Sequence, residues 1–126
     1  MSTTYKLSND AELFIKRFNC VITVGASGAV SSFNGDEVVA VTKETTDGQY
    51  TVELGDFNGE GTFVSVKDVN CILSGATLDD ITPHVLTDAL AASSEVVIQL
   101  HTAGTEANVT AANKIHLTIT AYITGV

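Results

Sequence analysis

The chain has 126 residues, fifteen of them acidic against six basic, for a formal charge of −9. That length suits a single domain able to bury roughly two-thirds of its unfolded surface, and that charge repels nucleic acid and anionic lipid head groups, so neither is expected as a partner. The opening MSTTYKLSND has one lysine and no apolar run behind it, and no apolar stretch approaches bilayer length, so neither a secretory leader nor a spanning helix is expected.

In chain order, residues 1–17 read as an N-terminal arm or short helix. Asn9 or Asp10 can cap a helix through Ala11–Arg17, but the span is too short to stand alone and fits an extended arm equally well. From Phe18 the period drops to two, with Phe18, Cys20, Ile22 and Val24 on one face, and residues 18–126 are taken as one β domain. Gly25, Gly28 and Gly35, with Ser27, Ser31, Ser32 and Asn34, mark a long turn region. Further strands are expected at 37–43, 49–54, 62–73, 83–88, 95–101 and 114–124. With one proline and ten glycines spacing these strands, the pattern is all-β: an antiparallel, jelly-roll-like β-sandwich.

Two hairpins take definite trial registers. A turn at Thr45–Gly48 sets Val41 opposite Val52 and Val39 opposite Leu54. Pairing the last two strands sets Leu100 opposite Leu117, Ile98 opposite Ile119 and Val96 opposite Ala121. That register also brings His101 beside His116 on the outer face. Several strands carry apolar residues on both faces: Val38 and Ala40 beside Val39 and Val41, Val64 and Val66 beside Phe63, Val97 between Val96 and Ile98. A sheet with one wet face should alternate cleanly, so part of the outer surface is expected to be covered by another subunit.

Candidate chemistry is sparse. Asp56–Gly61, DFNGEG, begins as a calcium loop does, but its twelfth position is Lys67 where a bidentate glutamate is needed, and the flanks read as strand. It is therefore read as a turn. His101 and His116 supply two ligands where a zinc site needs three or four protein groups, and His84, behind Pro83, shows no partner in the sequence. Ser27 in GASGA lacks the full nucleophile-elbow pattern and its strand-to-helix context. Asn108–Thr110 matches a glycosylation acceptor and is read as a polar loop. Cys20 and Cys71 share no metal-binding spacing and are read as reduced, buried side chains. No catalytic residue, metal or cofactor is expected, and the protein is not expected to be an enzyme.

Two stretches carry a family resemblance: TKETTDGQYTVELGDFNGEGTFVSV, then PHVLTDALAASSEVVIQLHTAGTEANVTAANKIHLTITAYI. Strand, Gly48 turn, Tyr-Thr-Val-x-Leu strand, glycine-rich turn, Val-x-Val strand, long polar loop and Ile-His-Leu strand follow in order over residues 37–124. This order resembles the small jelly-roll or C1q-like β-sandwich proteins of tailed bacteriophages, which decorate capsids or form the knobs of head and tail fibres. The resemblance implies a homotrimeric capsid decoration, or cement, protein made in the host bacterial cytoplasm and carried on the virion surface. Its partner would be the major capsid protein, and its subunit or capsid contacts are expected at Val97, His101, His116 and Tyr122. The alternative is a receptor-binding fibre knob.

Overall fold

The computed structural model describes residues 4–6, 13–55, 61–75 and 80–124. The strands are β1 (Thr4–Lys6), β2 (Leu13–Val24), β3 (Val30–Asn34), β4 (Val38–Lys43), β5 (Gln49–Leu54), β6 (Thr62–Ser74), β7 (Thr82–Ala89), β8 (Glu95–Thr102), β9 (Thr105–Glu106) and β10 (Lys114–Thr124). One helical turn, α1 (Leu90–Ser93), links β7 to β8. One sheet runs β1-β2-β10-β6, with β3 also pairing β2, and the other runs β4-β5-β8-β7, with β9 also pairing β8. All pairings are antiparallel. Strands far apart in the chain nest as partners, β2 with β10 and β5 with β8, and this wrapping makes the sandwich jelly-roll-like.

Period-two alternation decides which side chains meet between the sheets. Phe18, Cys20, Ile22 and Val24 from β2 and Ile115, Leu117, Ile119, Ala121 and Ile123 from β10 are buried. Facing them from the other sheet are Tyr50, Val52 and Leu54 of β5 and Val96, Ile98 and Leu100 of β8. Phe18 also meets Phe63 of β6 with ring centroids 5.7 Å apart.

The structure corrects three expectations. From Leu13 on, the proposed helix is strand: Leu13–Arg17 belongs to β2 and pairs with Ala121–Thr124 and neighbouring residues of β10. Phe14 and Lys16 share the inward phase of Phe18, and a long neighbouring strand satisfies the backbone better than a lone short helix would. In the first hairpin Val41 does face Val52, but Val38 faces Leu54, and a register shift between Val38 and Ala40 turns Val39 outward, 56 % exposed. The last two strands are not a hairpin at all. Leu100, Ile98 and Val96 lie in one sheet and Leu117, Ile119 and Ala121 in the other, so they share the core from opposite sides.

Polar groups tie the ends of the sandwich together. Lys16, only 4 % exposed, lies 3.2 Å from Glu37 at the entry to β4 and 6.0 Å from the centroid of the Phe18 ring. A buried ammonium persists only when paired, so this contact fastens one sheet to the other. Near the opposite end of β2, the Tyr50 hydroxyl donates to the Gly28 carbonyl from within the core. Tyr50→Phe would leave that carbonyl unsatisfied, and we expect it to lower unfolding free energy by about 1–3 kcal/mol in urea titrations. A loss below a few tenths would mean that water replaces the hydroxyl. Asn108 fastens the long loop before β10: its Oδ1 accepts from the Gly48 amide at 2.8 Å and its Nδ2 donates to Asp47 Oδ1 at 3.0 Å. The asparagine read as part of a polar loop is thus a clasp between two loops, and Val109 beside it is 1 % exposed.

Candidate functional site

The four residues expected to form a contact surface do not come together. In β8 the even positions Val96, Ile98 and Leu100 point into the core, so Val97, Gln99 and His101 share the outer face of that sheet. Val97 is half-buried between Thr51 of β5 and Thr87 of β7. In β10 the odd positions are buried instead, so His116 and Tyr122 lie on the outer face of the other sheet. His116 is flanked by Val21 and Ile72, and its Nε2 lies 2.8 Å from the Ser74 hydroxyl. It opens onto a shallow hollow of about 340 Å³ lined also by Lys114, Val21 and Thr23. Tyr122 lies between Ile15 and Ser65. The pairing of His101 with His116 is therefore overturned, because β8 and β10 belong to different sheets. The ring beside His101 is that of His84 in β7, edge to face, with centroids 4.6 Å apart.

A more continuous apolar surface lies where β6 and β7, the edge strands of the two sheets, run along the same side of the sandwich. The Val66 amide donates to Asp88 Oδ2 at 2.8 Å, one link across this side. Among the described residues, four of the six large exposed apolar side chains are here: Val64 and Ile72 on β6, Val85 and Leu86 on β7. Ile72 is 63 % exposed, and a register shift between Val85 and Thr87 leaves Leu86 outside the ladder, 56 % exposed. The inward residues of β6 point the same way. Val66, Val69, Cys71 and Leu73 pack on the core yet remain only partly buried, whereas their neighbours on β10 are fully buried. The core is thus closed at β2 and β10 and open along β6. The sequence signal was present in the runs Cys71-Ile72-Leu73 and Val85-Leu86, which break strict alternation.

Among the described residues, no group of three or more His, Cys, Asp or Glu side chains is arranged to hold a metal, and no helix is long and apolar enough to cross a membrane. Most of the Asp56–Gly61 stretch, through Glu60, lies outside the described residues. Cys20 and Cys71 are both free thiols. They flank Leu117 from either side of β10, two strand spacings or roughly 9.5 Å apart, beyond the reach of a disulfide. Burial pushes both thiols up to about 11. The Tyr50 phenol is pushed up to about 12, first by burial and then by the charge of a Cys71 thiolate. Such thiols are poor nucleophiles at neutral pH. No family model, curated protein or solved structure matches the chain.

Proposed function

We propose that the protein is a structural binding module of the capsid-decoration kind: a homotrimer that docks on a phage head and reinforces contacts between major capsid subunits on the virion surface. The observation that supports this reading is the open β6–β7 side, where inward residues of β6 stay partly exposed and Ile72 and Leu86 project outward. Unpaired strand edges beside apolar side chains form an interface when a partner supplies strands or apolar surface, and are a liability otherwise. The acidic remainder of the surface keeps the assembled particle soluble. The Val97 face of the second sheet would be the capsid-facing or secondary contact.

Light scattering and co-sedimentation with heads lacking the protein test the reading. A trimer that saturates heads at fixed stoichiometry is expected. The double variant Ile72→Lys, Leu86→Asp should fold normally, since both side chains are exposed, yet fall to about a third of the wild-type mass. If that variant stays trimeric and Val97→Asp dissociates, the subunit contact lies on the outer face of the β8 sheet instead. An oligomer indifferent to heads would shift the reading to a receptor-binding fibre knob.

A further inference from the structure

The hollow beside His116 has a lining unlike the rest of this acidic chain. Strand pairing sets two adjoining rows across β3, β2, β10 and β6: Ser32, Thr23, Lys114 and Ser74, then Asn34, Val21, His116 and Ile72. The alternate positions of β2 and β10 are core residues, so both rows point outward, with neighbours roughly 4.8 Å apart along a row and the rows roughly 6.8 Å apart. Val21, Thr23, Ser32, Asn34, Lys114 and His116 line the hollow, and no carboxylate lines it, although the chain has fifteen acidic residues. Asp68 lies two rows past His116 and is paired with Lys67 at 3.1 Å, and Asp36, in the turn after β3, is not part of the lining. The cation here is uncommitted. Lys16 is paired with Glu37 and Lys43 donates to two backbone carbonyls, whereas Lys114 has no partner among the described residues. His116 is held by the Ser74 hydroxyl at Nε2, 2.8 Å away, which fixes the ring and leaves its other nitrogen open.

We infer that this hollow binds a hydroxylated carboxylate, the chemistry shared by a free sugar acid and the acidic unit of a glycan. Lys114 takes the carboxylate, because a charged donor with no acidic neighbour to compete makes the strongest contact the lining offers. The Thr23 and Ser32 hydroxyls both donate and accept, and the Asn34 amide does the same, so together they match the mixed demands of ring hydroxyls. Val21, half-buried between Asn34 and His116, supplies an apolar floor for the C–H face of a ring. A volume of about 340 Å³ suits a small organic molecule, and a bare inorganic anion would leave most of it to water. The net charge of −9 does not forbid an anion here, since salt at physiological strength screens exposed charges more than about 8 Å away while the Lys114 contact is direct. The site lies toward β3, across β10 from the Ile72 edge, so it does not rest on the trimer reading.

Titration of the protein with D-glucuronate, followed through its imidazole proton resonances, tests the site. A dissociation constant of about 1 mM is expected, the affinity that about thirteen heavy atoms reach at the efficiency of a drug-sized ligand. The His116 signals should move while those of His84 and His101, on the other sheet, stay in place. Lys114→Gln changes an exposed side chain, so its fold is not in question, and it should weaken binding roughly tenfold, with Lys114→Arg close to wild type. Glucose and acetate, each carrying half of the chemistry, should bind at least about tenfold more weakly than glucuronate. A glucuronate-bearing tetrasaccharide that binds more tightly than the monosaccharide assigns a glycan as the source of the acid, and equal binding assigns the free sugar acid. Acetate or inorganic phosphate matching glucuronate, unchanged affinity in Lys114→Gln, or a His116 signal that stays fixed up to about 20 mM glucuronate would each overturn the site.

Discussion

Gly48→Ala is expected to cost the protein more than about 3 kcal/mol of stability, and to lower its melting temperature by about 10 °C or more. Gly48 closes the β4–β5 turn at φ +71°, a conformation that an L side chain adopts at a penalty. The larger effect is steric. A Cβ there would lie 2.2 Å from the Ala107 carbonyl oxygen and 2.8 Å from that of Leu100, both backbone atoms. Neither can retreat cheaply, because Leu100 donates to the Gly48 carbonyl at 2.9 Å, Ala107 donates to Leu100 at 3.3 Å, and Asn108 accepts from the Gly48 amide. Gly104→Ala supplies the control. Its φ is +81° but nothing lies within 4 Å of the added methyl, so only the conformational penalty of about 1 kcal/mol should appear. Thermal unfolding of the two variants side by side separates the terms; equal losses would mean that the loop at Ala107 yields and the contact is not tight in solution.

Stability should also collapse on the alkaline side. The thiol of Cys20 is raised from 9.0 to about 11 and the phenol of Tyr50 from 10.0 to about 12, each chiefly by burial. Both groups ionise more readily in the unfolded chain, so above pH 9 unfolding releases protons that the folded state retains. Their contribution is fully present below pH 9, and it drains away as pH rises towards 12. With both side chains almost wholly buried, the combined loss is on the order of 4 kcal/mol. Cys71, shifted in the same sense but only partly buried, adds less. Urea midpoints at pH 8, 10 and 11 measure the slope. Tyr50→Phe should flatten the limb between pH 10 and 12 while leaving the thiol limb. Constant midpoints from pH 8 to 11 would show that water reaches these groups in the native state.

Alternation revealed which side chains face inward, and far less about which strands lie side by side. The inward sets Val96, Ile98, Leu100 and Leu117, Ile119, Ala121 were legible because each is spaced by two. Their partnership was not, since residues facing across a core and residues paired within a sheet show the same pattern. Local hairpin chemistry did specify Val41 opposite Val52, and it failed one step further, at Val39, where an added residue in the ladder carries no marker of its own. Lys16 misled in another way. It fell in the stretch read as an arm or short helix, and nothing local marked it as continuing the inward row of Phe18; Glu37, distant in sequence, makes its burial tolerable. The same limit hid the His84 and His101 contact, which exists only because β7 and β8 pair.

The adjacency of β2 and β10 has a kinetic side. These two strands form the middle of their sheet, and Cys20 meets Leu117 across nearly the whole chain. On a ribosome, β4 and β5 can zip together as soon as both emerge, but β2 waits for its central partner until β10 is made. Closing so long a loop is slow, and during that interval the exposed row Phe18, Cys20, Ile22 and Val24 is open to wrong pairings. The middle of the sheet therefore cannot close before β10 has emerged.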